Sequence, residues 1–216
     1  MSQNHIEEVR ARLRQLLDTV RTVADSRESH TSPSGRYKLT TQAYSRSNPS
    51  LAKQLNLPDF EVKSTLRVEV YPAESNEPLF VFFTTYHRFF FSWITRKGHE
   101  LLVCAEDLYG GQTVIDLTNK KMSSYSPNID GFIWTEHFIS PSGNLLAVSG
   151  CVWAAPYWVN IYDFSDPLTL PLPLVGQLDW DAYEGVELIG WLDDNTLRVK
   201  GGDNIEKHVA YGPPLQ

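Results

Sequence analysis

The sequence predicts a mostly β protein with one N-terminal α-helix, and three observations support this fold class. From Arg36 onward, short runs rich in β-branched and aromatic residues alternate with clusters of Gly, Pro, Asn and Ser. Some of these runs recur at a spacing of about 45 residues. The first 25 residues instead carry apolar side chains at steps of three and four, which is the periodicity of an amphipathic helix.

The predicted helix covers residues 4–25 and has one apolar stripe. The stripe consists of Ile6, Val9, Leu13, Leu16, Leu17, Val20 and Val23. It must be buried either against the main body of the chain or against a second copy. Residues 25–35 are rich in Ser, Thr, Pro and Gly and are predicted to be a linker. Residues 1–35 would then be helix and linker, and residues 36–216 the β domain.

The β part contains an internal repeat. Its best two copies are shifted by 45 residues, and they pair Ile94 with Ile139, Gly98 with Gly143 and Val103 with Val148. A third copy starts at Leu188, and a weaker one includes residues 65–71. Repeats of this length, each with four short strands, are typical of β-propeller blades. The sequence therefore predicts a small or partial β-propeller of about three to four four-stranded blades, whose first unit lacks its first strand and whose last unit lacks its fourth. The aromatic run of residues 79–91 predicts strands buried on both faces.

The segment 138–150, followed by residues 159–164, resembles a blade of the WD40 or TolB-like β-propellers. The resemblance covers about residues 36–211 and implies the fold, whereas propellers carry many unrelated functions. The sequence departs from the WD40 pattern because Tyr162-Asp163 stands where the Trp-Asp pair would fall, and because no Gly-His pair opens a blade. These departures argue against a WD40 hub with many partners.

Composition narrows the classes of partner. The 216 residues include 26 acidic and 19 basic side chains, so the formal net charge is −7 and nucleic acid and anionic membranes are not expected partners. With no apolar run of membrane-spanning length and no signal peptide, we expect a cytoplasmic protein. Cys104 and Cys151 are then expected to be buried thiols, with a bridge between them as the alternative.

The sequence contains no strong catalytic motif. His99-Glu100 begins the metal-binding pattern H-E-x-x-H, but Val103 occupies the place of the second histidine. We therefore predict no catalytic residue, no metal and no cofactor. The enzyme alternative is a hydrolase or lyase that uses carboxylates and a histidine in an axial pocket. Its candidate residues are Glu106, Asp107 and His137.

The candidate functional surface is formed by the connections between the second and third strands of the blades. Equivalent connections of a propeller project from the same end, so aromatic and acidic side chains would meet there. The predicted partner-binding residues are Trp153, Tyr157, Trp158, Tyr109, Glu106, Asp107 and Asp203.

The first function that this surface predicts is a non-enzymatic protein-interaction module, for example an inhibitor or immunity-type protein with a basic partner. Three alternatives stay open. The aromatic residues could be wedged between blades, they could line a pocket for a cationic or sugar ligand, or the chain could be a structural subunit that assembles with itself.

Overall fold

In the residues that it describes, the computed structural model shows four antiparallel sheets and one helix. The chain divides into two compact units, Met1–Phe89 and Phe90–Gln216. The predicted fold class, mostly β with blade-like sheets and an N-terminal helix, is confirmed. The residues that the structure describes are 5–17, 27–45, 64–84, 89–106, 110–127, 131–152, 157–178, 187–200 and 205–212.

The first unit contains one helix and the first sheet. Its elements are α1 (Ile6–Leu17), β1 (Arg27–Thr31), β2 (Tyr37–Ser45), β3 (Ser64–Pro72) and β4 (Phe80–Thr84), and the strand order is β1-β2-β3-β4. β1 lies in the segment predicted to be a linker, so the linker prediction was wrong. The prediction that the first unit lacks its first strand was also wrong. The five residues of β1 are polar and almost all exposed, and pairing with β2 holds the strand in place. A strand without an apolar face has no periodic signal in the sequence.

The helix α1 packs against its own chain. Ile6, Val9 and Leu13 are buried, and α1 contacts β4. The guanidinium carbons of Arg10 and Arg14 lie 4.8 and 5.4 Å from the ring centroids of two phenylalanines of β4, which are cation–π distances. Of the two predicted ways to bury the stripe, packing against the same chain is the observed one for these three residues. The other four positions of the stripe lie outside the described side chains.

The second unit contains three sheets. The second sheet has the order β5-β6-β7-β8, the third β9-β10-β11-β12 and the fourth β13-β14-β15. The strands are β5 (Phe90–Arg96), β6 (His99–Glu106), β7 (Gly111–Asp116), β8 (Lys121–Tyr125), β9 (Ile133–Ile139), β10 (Leu145–Cys151), β11 (Trp158–Asp163), β12 (Leu174–Gln177), β13 (Glu187–Asp193), β14 (Thr196–Lys200) and β15 (Glu206–Ala210). In the described part of the chain, the fourth sheet has three strands, as the sequence predicts.

The third sheet packs against a neighbour on each face. Side chains alternate along a strand, so Leu146 and Val148 of β10 join a core with the second sheet, while Ala147 between them joins a core with the fourth sheet. Cys104 and Cys151 are buried and are not joined by a disulfide, which excludes the predicted alternative of a bridge. No helix in the described ranges is long and apolar enough to cross a membrane.

Two sets of hydrogen bonds connect the hairpin turns of the second unit. Arg96, at the end of β5, donates from Nε to the carbonyl of Gly143 at 2.5 Å and from Nη2 to Asn144 Oδ1 at 3.1 Å. The amide of Ser142 donates to Asp194 Oδ1 at 3.0 Å. The β5–β6, β9–β10 and β13–β14 turns therefore lie at one end of the three sheets, which we call the hairpin end. The second strands of these sheets end, and their third strands begin, at the opposite end, which we call the loop end.

Candidate functional site

The structure describes three of the seven residues that were predicted to bind a partner. Glu106, Tyr157 and Trp158 are described, and the other four lie outside the described residues. Those four are Trp153, Tyr109, Asp107 and Asp203. That the side chains of the connections between second and third strands meet at one end stays a prediction, because most residues of these connections lie outside the described ranges.

Trp158 is held in place at the loop end by its own sheet. Its indole Nε1 donates to Asn160 Oδ1 at 3.0 Å, and the amide of Asn160 donates to the hydroxyl of Tyr162 at 3.2 Å. The indole lies on the ring of Phe132, with centroids 5.0 Å apart. Gly150 makes room for this ring, because a Cβ there would lie 2.8 Å from Phe132 Cζ. Trp158 is thus part of a rigid aromatic stack on the face of the third sheet that packs against the second sheet.

The hydroxyl of Tyr162 completes this buried network. Burial raises the pKa of Tyr162 to about 12, so its phenol stays protonated at physiological pH. The ring lies 5.5 Å from that of Trp134, which is fully buried. The aromatic stack at the loop end therefore rests on a hydrogen-bonded core and not on a mobile surface layer.

Each sheet of the second unit exposes one large apolar side chain at the loop end. Phe90 begins β5 and is 40% exposed, Tyr157 precedes β11 and is 46% exposed, and Ile205 precedes β15 and is 58% exposed. We call these three residues the loop-end surface. Phe90 belongs to the aromatic run that was predicted to be buried on both faces, and for this residue the prediction was wrong. Its position at the first residue of a strand explains the exposure, because strand ends project beyond the core.

Two carboxylates interact between the third and fourth sheets. Glu187 begins β13, and Glu136 lies on the neighbouring strand β9. Partial burial, followed by the negative charge of Glu187, raises the pKa of Glu136. The sequence prediction missed both residues, because nothing in a single sequence shows that two glutamates on strands 51 residues apart are neighbours.

Glu106 is placed differently from the prediction of an exposed acidic rim. Its side chain is 1% exposed, and its carboxylate accepts a short hydrogen bond from the hydroxyl of Thr113. The same hydroxyl lies 2.8 Å from Ser124 Oγ. Glu106 follows Ala105, which packs against the third sheet, so its side chain lies on the other face of the second sheet.

His137 lies on the third sheet, on the face that packs against the second sheet. Its partner in β10 is Val148, which belongs to the core between these two sheets. Glu106 and His137, two members of the enzyme alternative, therefore lie on opposite sides of the second sheet. Asp107, the third member, is outside the described residues. The observed geometry does not bring Glu106 and His137 together as a catalytic pair.

The environment of His137 is unusual. The side chain is 9% exposed, and neither ring nitrogen has a hydrogen-bond partner among the described residues. Burial lowers its pKa to about 4, so the imidazole is neutral at physiological pH. His137 also lines a cavity of about 510 Å³ between β5 and β9, which we call the β5–β9 cavity.

Comparison with known proteins gives a sequence relative and several distant structural neighbours. No protein-family model matches the chain. A prolyl endopeptidase structure aligns with 88% of this chain at 11% identity and a TM-score of 0.45. A periplasmic gluconolactonase of Pseudomonas aeruginosa aligns with 87% at 15% identity and a TM-score of 0.45. The Cps50 (Swd1) β-propeller domain of Myceliophteria thermophila aligns with 88% at 12% identity and a TM-score of 0.31. The chain spans 27%, 52% and 73% of these three structures, respectively.

The sequence relative is an uncharacterized protein, R762, of Acanthamoeba polyphaga mimivirus. It is 32% identical to this chain over 201 residues, which are 88% of this chain and 72% of the viral protein. Identity at this level over nearly the whole chain extends through both units. The chain therefore belongs to the same family as this mimivirus protein.

Proposed function

We propose that the chain is a non-enzymatic protein-interaction module, with WD40-like or TolB-like blades, that binds its partner at the loop end. The observation that carries this proposal is the loop-end surface, where each of three consecutive sheets exposes one large apolar side chain. Large exposed apolar side chains also lie away from the loop end, at Met122, Leu174, Val175 and Leu192, so the loop-end surface is distinguished by its two aromatic rings, Phe90 and Tyr157. Aromatic side chains surrounded by polar groups often supply most of the binding energy.

The chain directly after Tyr157 is held in place by its own sheet. Tyr157 is followed directly by Trp158, whose indole is fixed by Asn160 and by the ring of Phe132. A backbone fixed in this way has little conformational entropy left to lose when a partner covers the residue before it. We include Trp153, Tyr109, Asp107 and Asp203 in the proposed surface, because they belong to the same set of connections.

The charge of this region indicates a basic partner. The pKa of Glu136 is raised by partial burial and then by repulsion from Glu187, and a lysine or arginine of a partner would relieve that repulsion. The net charge of −7 attracts a basic protein over a longer range. An inhibitor or immunity-type protein against a basic target, acting in the cytoplasm, is the specific form of the proposal.

The test compares two substitutions of similarly exposed residues at opposite ends of the sheets. Tyr157→Ala changes the loop end, and Leu192→Ala changes the end of β13 at the hairpin end, where Leu192 is 49% exposed. Wild type and both variants are used to capture partners from a lysate of the source organism, after light scattering has established their masses. We expect wild type and Leu192→Ala to retain the same stoichiometric partner, and Tyr157→Ala to lose it.

The binding kinetics of the captured partner test the charge argument. Glu136→Gln with Glu187→Gln should lower the association rate at low salt and flatten its dependence on ionic strength. Equal capture by wild type and Tyr157→Ala would contradict the proposal. A dimer mass for the wild type that falls to the monomer mass in Tyr157→Ala would instead identify the partner as a second copy and support the self-assembly alternative.

A further inference from the structure

Two neighbouring turns at the hairpin end of the second sheet carry exposed positive charge. The β5–β6 turn contains Lys97, and the β7–β8 turn contains Lys120, which is followed directly by Lys121. All three side chains are exposed, and we call them the lysine cluster. The loop-end surface lies at the other end of the sheets, so the proposed interaction there uses none of these residues.

Hydrogen bonds hold the two turns side by side. The amide of Leu117 donates to the carbonyl of Glu100 at 3.0 Å, and the amide of Glu100 donates to Thr118 Oγ1 at 3.0 Å. Nδ1 of His99, next to the first turn, lies 3.1 Å from Nδ2 of Asn119 in the second. The lysine cluster is therefore one surface, and a single partner can contact both turns.

The carboxylates beside the lysine cluster are engaged in local bonds. Asp116 is buried, and its oxygens accept hydrogen bonds from the backbone amide of Asn119 at 2.9 Å and from the side-chain amide of the same residue at 2.8 Å. Asp166 lines a cavity of about 230 Å³ together with Lys97, and it accepts a hydrogen bond from the hydroxyl of Thr169 at 2.6 Å. None of the three lysines forms an ion pair within the described residues. The lysine cluster therefore keeps its positive charge available for a partner.

The backbone conformation of two of these lysines is unusual for their residue type. Among the residues that the structure describes, Lys97 and Lys120 are the non-glycine residues with a positive φ, at 49° and 55°. Such positions in turns favour Gly, Asn or Asp, because a left-handed φ is strained for other residues with a Cβ. Positions where a chain departs from the locally favoured residue are expected at functional sites. A lysine at both positions therefore indicates that the charge has a role.

The positive charge is local, and this limits the class of partner. The β9–β10 turn, residues 140–143, has no charged side chain, and the β13–β14 turn contains Asp194. A nucleic acid or an anionic membrane is larger than two turns, so the net charge of −7 would repel it. A short acidic segment of a protein contacts the two turns alone and avoids most of that repulsion.

We propose that the lysine cluster binds an acidic segment of a protein partner, a short run of exposed Asp and Glu side chains. Lys97 contacts the segment from one turn, and Lys120 and Lys121 contact it from the other. Exposed ion pairs are individually weak and are screened by salt, so the binding is weak and salt-sensitive. This surface is separate from the one proposed for a basic partner at the loop end.

An NMR titration of the full chain, labelled with nitrogen-15, detects weak binding and locates it. The probe is a capped ten-residue peptide of alternating Glu and Ser, and the neutral control peptide alternates Gln and Ser. At low salt we expect saturable shifts of the amide signals of residues 97–99 and 118–121 with the acidic peptide only, and their loss in about 0.5 M salt. Equal shifts with both peptides, or shifts centred on another surface, would overturn the proposal. Binding of a DNA duplex without binding of the acidic peptide would overturn it as well.

Two double variants with the same change of net charge test the assignment to the lysines. Lys97→Asn with Lys120→Asn should weaken the acidic peptide about fivefold, and its thermal midpoint should equal or exceed that of the wild type, because asparagine tolerates a positive φ. The control is Lys200→Asn with Lys207→Asn, on β14 and β15, which should weaken the peptide less than about twofold. Equal weakening in both double variants would overturn the assignment. Tyr157→Ala must leave peptide binding intact, which separates this test from that of the loop-end surface.

Discussion

Two turns of the molecule have the same four residues, Ser-Pro-Ser-Gly, and nearly the same geometry. Residues 32–35 join β1 to β2 in the first unit, and residues 140–143 join β9 to β10 in the second. In both, the glycine amide donates to the carbonyl of the first serine at 2.9 Å, and the serine amide donates to the residue five positions later at 2.9 Å. The φ angles of Gly35 and Gly143 are 73° and 74°.

The surroundings of the two turns differ. A Cβ at Gly143 would lie 3.0 Å from Arg96 Cγ, whereas a Cβ at Gly35 would meet nothing within 4 Å. The strand before the second turn carries the buried His137, and the equivalent position before the first turn is the exposed Ser29. The four residues therefore determine the local turn, and the neighbouring sheets decide whether that turn is a contact point.

The largest expected difference concerns the strands before the turns. The pKa of His137 is about 4 in the folded state against about 6.5 when unfolded, because burial disfavours the charged form. Between these pH values the unfolded chain binds more protons. The free energy of unfolding should therefore fall by about 3 kcal/mol as the pH drops from 6.5 to 4.

Urea unfolding at a series of pH values, followed by tryptophan fluorescence, measures this effect in the second unit. All six tryptophans lie after residue 89, at positions 93, 134, 153, 158, 180 and 191. His137→Gln and His137→Leu should both lose this part of the pH dependence, whatever their stability at pH 7. A wild-type slope that persists in both variants would show that other groups cause it.

The next effect concerns the contact that only the second turn has. Arg96→Ala removes hydrogen bonds from a guanidinium to Gly143, Asn144 and Ser165, and should lower the free energy of unfolding of the second unit by about 2 kcal/mol. Arg36→Ala, beside the first turn, should change stability by less than about 0.5 kcal/mol because Arg36 is exposed. Far-ultraviolet circular dichroism during urea unfolding measures both. Equal losses would mean that the two turns have equivalent surroundings.

A smaller difference is expected at the two glycines. Gly35→Ala should cost about 1 kcal/mol, the strain of a left-handed φ on a residue with a Cβ. Gly143→Ala has the same strain and must also displace Arg96, so its cost should be larger. In the Arg96→Ala background, Gly143→Ala should cost no more than Gly35→Ala. A double-mutant cycle with no coupling between residues 96 and 143 would contradict this account.

The smallest effect is local and concerns the partly exposed residue Asp194, whose carboxylate contacts the second turn. Asp194→Ala removes the acceptor of the Ser142 amide, so hydrogen exchange of that amide should become faster. The equivalent amide of Ser34 should exchange at an unchanged rate. Asp194→Asn keeps an oxygen acceptor and should restore protection in part. Unchanged exchange in Asp194→Ala would show that this bond does not persist in solution.

The contrast between a turn's local geometry and its surroundings also explains which features could be predicted from the sequence. The repeat was visible because buried positions such as Ile94 and Ile139, or Val103 and Val148, must be apolar in every copy. The strand β1 was not visible, because its polar residues are exposed and pairing with β2 places it. The internal repeat predicted a candidate surface at one end of the sheets, and Tyr157, one of its predicted residues, is exposed.

The other features of the candidate sites required the fold. Phe90 belongs to an aromatic run that indicates a buried strand, and only the position of the strand end shows its exposure. The proximity of Glu136 to Glu187 depends on the packing of β9 beside β13. The burial of Glu106 and its separation from His137 depend on which face of a sheet each side chain occupies. A shift of one residue in register would reverse that result.

By itself, the sequence determined the class of the fold, the repeating sheets, the amphipathic helix and both Ser-Pro-Ser-Gly turns. These features depend on hydrophobic periodicity and on bonds between residues a few positions apart. Only the tertiary structure decided that α1 packs on β4, that Arg96 joins two sheets, and that a cavity lies between the ends of β5 and β9. Those features join residues distant in sequence, and their geometry is set by how whole sheets pack.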